Sequence, residues 1–278
     1  PEACYVMERL LEAAANQLNM DSIALRKRNF IGADEMPYVM PSGVTLSSGE
    51  FAQTLDLALH NADWHSFAVR QQTSQARGLM RGRGLGFYVE SSGGGPEEEA
   101  RITIHDDGAV DVVVGTFSHG QGHRTTYAQI LSETLDVDFD SINIIQGDTA
   151  AVHFGGGTGG SRSSQMGGIA VQRAASGVLD DAKAIAAEML QAPLPTVSYA
   201  QGVFTASTTD SQVSLPQVAK VAKEAQFGGA GLTKLLRYNR GEGFTFPNGC
   251  HITEVEVDPE TGVVNVVAYT AVDDCGRV

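Results

Sequence analysis

Gly115-Thr116-Phe117-Ser118-His119-Gly120-Gln121-Gly122-His123-Arg124-Thr125-Thr126 follows an apolar strand pattern and precedes a helical one. A second stretch, Gly155-Gly156-Gly157-Thr158-Gly159-Gly160-Ser161-Arg162-Ser163-Ser164, is again followed by a helical pattern. Glycine lets a backbone approach a ligand closely, and a helix start leaves N–H donors unpaired beside a partial positive charge. A strand, a glycine turn and a helix in that order make an anion site. Two of them in one chain predict a ligand with more than one anionic group, such as a pyrophosphate.

Moving outward, Arg101-Ile102-Thr103-Ile104-His105 and Val110-Asp111-Val112-Val113-Val114 flank Asp106-Asp107-Gly108, a hairpin pattern whose second strand runs into the first turn. The helix after that turn carries Tyr127, Ile130, Leu131 and Leu135 and ends near Asp136. Residues 142–145 read as the next strand. The helix after the second turn, roughly 164–190, is rich in alanine and is stopped by Pro193 and Pro195. Beyond it come a strand over 197–205 interrupted at Gly202, a short amphipathic helix over 215–224 and a glycine-dotted stretch without clear pattern, 227–243. Strands over 249–257 and 263–271 follow, joined by the turn Asp258-Pro259-Glu260-Thr261-Gly262. On the other side of the hairpin, 82–89 reads as a strand; its third glycine comes one residue too early for a dinucleotide fingerprint. Residues 91–99 read as a mobile glycine- and acid-rich loop.

The first quarter is helical. Tyr5, Leu10, Leu11 and Leu18 recur at helical spacing, Pro1 suits a first turn, and Asp21-Ser22 caps a second helix ending in Arg26-Lys27-Arg28, a solvated cationic end. Pro37, Pro41 and Gly43 form a loop. Ser47-Ser48-Gly49-Glu50 then opens a helix to about Asn61 with Phe51, Leu55, Leu57 and Leu59, and 63–75 is polar and ambiguous. The expectation is an α+β fold, with mixed or antiparallel sheets and helices packed on them. Its parts are an N-terminal helical arm over 1–75 and an α+β region over 76–278.

Acidic residues outnumber basic ones 33 to 19, a net charge of -14, which repels phosphate backbones and excludes nucleic acid as a partner class. A small anion remains compatible, because local N–H groups can hold it. No apolar run reaches membrane-spanning length and no secretory pattern opens the chain, so a soluble, cytoplasmic protein is expected. The start at Pro1 and the strand-like end over 268–278 read as cuts within a longer parent. Cys4, Cys250 and Cys275 are scattered, without the spacing of a zinc site or a disulfide framework.

His119 and His123 stand at a spacing that suits a metal on a helix, but Gly120 and Gly122 make a regular helix there improbable, and no third ligand lies nearby. Contact with a pterin or phosphate is the favoured role, and a turn histidine bonded to backbone is the plain alternative for His119. Gln121 is placed to present an amide. Ser161, Arg162 and Ser163 could add hydroxyls and a guanidinium to free N–H groups, although helix capping alone explains one serine. No lysine follows Gly160 as in a P-loop, and neither a GxSxG elbow nor a Ser/His/Asp set is present.

The run from Gly115 to Gln129, with Gln146-Gly147-Asp148-Thr149, the segment 157–163 and the opening Pro1-Glu2-Ala3, resembles the molybdenum-binding large subunit of the xanthine dehydrogenase / aldehyde oxidase / aerobic carbon monoxide dehydrogenase family. The resemblance spans most of the chain and keeps the order and spacing of these motifs. It departs at Gly159, where many relatives carry Tyr. It implies that Gly120, Gln121, Gly122 and His123 form one contact set for molybdopterin cytosine dinucleotide, and Gly160, Ser161, Arg162 and Ser163 the second. No residue of the chain is implied as a metal ligand. The family's catalytic glutamate is expected beyond Val278 and an arginine-glycine cofactor loop before Pro1, so this chain alone should turn nothing over. The parent would oxidise an aldehyde, an N-heterocycle or CO with water as oxygen source. FAD and [2Fe-2S] clusters would sit on partner subunits or domains, within a dimer of the parent complex. Two other readings fit the turns by themselves: a phosphate- or nucleotide-binding enzyme without molybdenum, and a non-catalytic assembly domain.

Overall fold

Asp107 Oδ1 accepts the Ala109 N–H at 3.0 Å and closes the predicted hairpin, from which the sheet of the site grows. The fold is that of a computed structural model, which describes residues 2–95, 97–225, 231–241 and 243–276. Pro1 and part of the 227–243 stretch lie outside the described residues.

In chain order, the first elements are α1 (Glu2–Leu18), α2 (Ser22–Asn29), β1 (Tyr38–Val39), β2 (Thr45–Leu46), α3 (Phe51–Asn61) and α4 (Phe67–Gln75). Then come β3 (Met80–Val89), β4 (Glu97–Ile104), β5 (Val110–Val114), α5 (His123–Leu135), β6 (Ile142–Ile145) and α6 (Ile169–Met189). The last are β7 (Val197–Ala200), β8 (Val203–Ala206), β9 (Gln212–Ser214), α7 (Leu215–Ala225), β10 (Leu232–Asn239), β11 (Asn248–Val257) and β12 (Val264–Asp274). This is the α+β class that the sequence predicts, with antiparallel and mixed sheets. Contacts divide the chain into two units, Gly93–Gly243 on one hand and Pro1–Ser92 with Phe244–Val278 on the other.

In the unit Gly93–Gly243, a four-stranded sheet runs β10-β4-β5-β6. β4 pairs antiparallel with β5 and β10, whereas β5 and β6 are parallel, because α5 carries the chain back between them. Ile102, Ile104, Val110, Val112 and Val114 face the core with Leu131 and Leu135 of α5. α6 meets them with Ala170, Ala174, Ala175, Ala182 and Ala186, all fully buried. Short side chains on one face let this helix lie close to the sheet, which explains the alanine-rich reading. A smaller sheet, β7-β8-β9, and α7 complete the unit.

In the other unit, β12-β11-β3 form an antiparallel sheet. Cys250 and Ile252 of β11 pack against Leu55, Ala58 and Leu59 of α3. The same face of β11 continues as Glu254 and Glu256, both buried, where Arg70 and Ser74 from α4 and Arg77 just after it meet them.

Several expectations change. The predicted boundary at residue 75 differs from the division that the contacts draw: the N-terminal helices share their unit with β3, β11 and β12. Arg26, expected at a solvated end, is 2% exposed, bonded to the Ser22 carbonyl at 3.0 Å and paired with Glu8 and Glu12. Tyr5, Leu10, Leu18 and Leu57 are exposed instead of packed. The ambiguous 63–75 stretch contains α4 and the 227–243 stretch contains β10. The loop expected over 91–99 already belongs to β4 from Glu97, and Ser92 and Gly93 are buried.

Candidate functional site

Adjacent parallel strands bring the two glycine turns together. Val113 of β5 stands opposite Ile145 of β6, so the loops that follow leave the same end of the sheet, the C-terminal ends of parallel strands where α/β ligands collect. There the backbones touch. A Cβ added to Gly115 would lie 2.3 Å from the Gly155 Cα, a contact that only two glycines allow. The Gly157 N–H donates to the Gly115 carbonyl at 3.2 Å, and the Phe117 N–H to Thr158 Oγ1 at 3.1 Å. Thr158 Oγ1 in turn lies 2.9 Å from Ser163 Oγ. The two helix entrances predicted to share a ligand are therefore neighbours.

The first predicted set divides into an outer and an inner part. Gly120, Gln121 and Gly122 are exposed, and open space surrounds the positions a Cβ would take on Gly120 and Gly122. Gly122 is the N-cap of α5 with a left-handed φ of 78° and no side chain to cap the helix, so the N–H groups of the first turn of α5 face the turn without an intrahelical partner. The Gln121 side-chain carbonyl accepts the His119 N–H, which pins the amide across the turn. His123 points inward and is 5% exposed, with its Nδ1 3.4 Å from Gln146 Nε2 and its ring beside Tyr127. Burial, with the His119 charge second, lowers its pKa, so the ring is held neutral in the interior.

The second set is arranged differently from the expectation. Arg162 is 4% exposed and folds beneath its own turn, with Nη1 3.0 Å from Glu98 Oε2 and 3.2 Å from the Gly157 carbonyl, and Nη2 on the Glu97 carbonyl. A guanidinium predicted to face an anion instead ties the turn to β4. The physical reason is Glu98, a fully buried carboxylate that needs a counter-charge. Gly160 and Ser161 lend their carbonyls to the Gly94 and Gly93 N–H groups at 2.9 and 3.2 Å, and Ser161, exposed, takes a left-handed φ of 51°. Ser163 opens one turn of π-helix, Ser163–Gly168, before α6, a wide turn found often at functional sites.

Sequence reasoning missed Glu98, Thr116, Tyr127 and Thr158. Tyr127 was legible only as an apolar helix position, and Glu98 only as part of an acidic loop. Gln146 was quoted for its resemblance and given no role; it is the amide that meets both Thr116 Oγ1, at 3.2 Å, and His123.

What the site offers is backbone N–H donors, open space above Gly120, Gly122, Gly157 and Gly159, and the exposed Arg124 at the start of α5. Among the described residues no group of three or more His, Cys, Asp or Glu is placed to hold a metal ion. This inventory fits a phosphorylated cofactor that brings its own metal, since the donors suit diphosphate oxygens and the glycines leave room for them.

Residues 57–278 match the molybdopterin cofactor-binding domain family. The carbon monoxide dehydrogenase large chain of Afipia carboxidovorans is 33% identical over 99% of this chain, which covers 36% of that protein. The nicotine 6-hydroxylase large subunit of Paenarthrobacter nicotinovorans is 30% identical over 98% of this chain and 35% of its own length. The solved structure of CO dehydrogenase from Oligotropha carboxidovorans superposes with a TM-score of 0.85 at 32% identity, over 99% of this chain and 37% of that one. This chain thus spans about a third of the length of the relatives it matches. It belongs to the molybdopterin cofactor-binding domain family, and corresponds to a segment of the molybdenum-binding large subunit in the xanthine dehydrogenase / aldehyde oxidase / carbon monoxide dehydrogenase group.

Proposed function

We propose that this chain forms part of a molybdopterin cytosine dinucleotide site in the large subunit of a molybdenum hydroxylase. The observation that carries the reading is the direct bonding of the two glycine turns, which sets two rows of N–H donors side by side. Gly120, Gln121 and Gly122 contact the cofactor from the first turn, and Gly160, Ser161 and Ser163 from the second. His123 and Arg162 act from behind, by holding their turns in shape. When bound, the cofactor supplies the oxidation of an aldehyde, N-heterocycle or CO, with water as oxygen source. The part of this chain is to bind it, orient it and keep its anionic groups paired. The names of the relatives, large chain and large subunit, support further subunits beside this one; in this reading they carry FAD and [2Fe-2S] clusters, within a dimeric cytoplasmic complex. Among the described residues no helix is long and apolar enough to cross a membrane.

The test uses the full-length polypeptide that contains this chain, purified with its partners. Metal analysis and acid hydrolysis should return molybdenum and CMP in equal amounts. Open space surrounds the Cβ that Gly122→Asp adds, and Asp is among the L residues that best tolerate a left-handed φ, so the variant should fold with a melting temperature only slightly lowered by backbone strain. Its carboxylate faces the anion, and cofactor content should fall at least about tenfold. A nucleotide without molybdenum, or Gly122→Asp protein with full cofactor, refutes the assignment.

A further inference from the structure

We propose that the Tyr127 hydroxyl is a positioning group that fixes the separation of the two turns, so that a cofactor meets both at once. This rests on the cofactor assignment made above. Tyr127 belongs to α5, the helix that the first turn opens, and its ring is 1% exposed. Its hydroxyl lies 2.8 Å from Thr116 Oγ1 in the first turn and 2.9 Å from the Ser163 carbonyl in the second. Thr158 Oγ1 also joins the turns, from within the second; Tyr127 does so from the helix beneath them.

The direction of every bond in this chain is forced. The Gln146 amide nitrogen only donates, and it reaches Thr116 Oγ1 at 3.2 Å. The Ser163 carbonyl only accepts. Thr116 must therefore donate to Tyr127, and Tyr127 to Ser163, so each hydroxyl spends its single proton in one direction. The run Gln146–Thr116–Tyr127–Ser163 has both ends fixed, and a one-way chain of this kind tolerates little change in length. Burial raises the Tyr127 pKa to about 12, so the phenol stays a donor throughout the range in which the protein functions.

Packing gives the same answer. A Cβ on Gly167, within the π-turn, would lie 2.3 Å from the Tyr127 oxygen and 3.0 Å from Thr116 Cγ2. The widened turn and its glycine thus make the space in which the hydroxyl can reach the Ser163 carbonyl. An aromatic side chain that served only the core would need neither.

The experiment measures release of CMP and molybdenum from the full-length polypeptide during dialysis, together with its melting temperature. Tyr127→Phe cuts both bonds of the phenol, and Thr116→Val cuts the bond to Tyr127 together with the one from Gln146. Leu131→Val, deeper in the same helix, is the stability control. Both Tyr127→Phe and Thr116→Val should release cofactor about tenfold faster than the parent protein. The double variant should be no faster than Tyr127→Phe alone, and Leu131→Val should release at the parental rate despite a lowered melting temperature. Parental release from Tyr127→Phe, or release from Leu131→Val as fast as from Tyr127→Phe at an equal melting temperature, overturns the proposal. Where Tyr127→Phe does not accumulate, Thr116→Val decides by the same criteria. A parent protein that carries neither CMP nor molybdenum refutes the cofactor assignment itself, and this proposal with it.

Discussion

On β11, Glu254 and Glu256 are met by three arginines, whereas beneath the second glycine turn Glu98 is met by one. The Glu254 oxygens lie 2.5 Å from Arg70 Nη2 and 2.6 Å from Arg81 Nη2, and Ser74 Oγ donates to Glu256 at 2.5 Å. Burial pushes the Glu254 pKa up, but the bonds from Arg70 and Arg81 outweigh it and leave it lowered. Glu256 is lowered as well, first by the Ser74 hydroxyl and, against burial, by the Arg77 charge. Glu98 goes the other way. Burial dominates and raises its pKa, against the Glu99 N–H, the Arg162 charge and the Gly156 N–H. Its Oε2 and the Arg162 Nε are buried without a hydrogen-bond partner among the described residues, although the charges lie 3.0 Å apart. The cluster on β11 is a satisfied structural network. The pair under the turn is under-satisfied at the place where the site is built, where local stability is commonly given up for function.

The contrast can be broken or sharpened by three measurements. Glu254→Ala should cost about 3 kcal/mol in denaturant unfolding, because it opens a buried space and, among the described residues, leaves Arg81 with only the Glu256 carboxylate, at 3.5 Å, and Arg70 with only that of Asp63. A loss near zero would remove the distinction. Glu98→Gln should cost less, about 1–2 kcal/mol, since the amide carbonyl still accepts N–H groups and Arg162, which loses its carboxylate, keeps the Gly157 and Glu97 carbonyls. A loss as large as that of Glu254→Ala would show the two clusters to be equivalent. The smallest effect is in pH dependence, read by hydrogen exchange of individual amides. Glu254 and Glu256, lowered in the fold, contribute stability that is present above the ordinary glutamate pKa and is lost as pH falls through their folded values. Glu98, raised in the fold, contributes stability that is present below the ordinary value and is lost as pH rises through its folded one. Amides of β11 should therefore exchange more readily on acidification, relative to intrinsic rates, while the ladder amides between β4 and β5 become better protected. The same response at both places would contradict the comparison.

Much of the fold was legible because its patterns are local. The 101–114 hairpin, the Asp21 cap, whose Oδ1 accepts the Ala24 N–H at 2.8 Å, and the alanine face of α6 are each written in consecutive residues. α4 was not, because the residues it turns toward β11 are Arg70 and Ser74, and a helix that meets Glu254 and Glu256 with polar groups shows no apolar stripe. β10 was obscured by the glycines around it and by its place at a sheet edge. In the proposed site, the glycines and Gln121 of the first turn stand out in the sequence because the pattern is local, and the structure leaves them exposed. Arg162 was read outward because its partner, Glu98, comes from a strand far back in the sequence. Tyr127 was read as apolar because a hydroxyl's destination depends on a turn that periodicity cannot see.

The contact between Gly115 and Gly155 has a consequence for protein engineering. Neither position can accept even a methyl group until the other backbone retreats, so the two segments are free to diverge only in step. Grafting one of them alone from a cousin with a bulkier residue there should jam the sheet end, whereas transplanting both as a matched set should succeed.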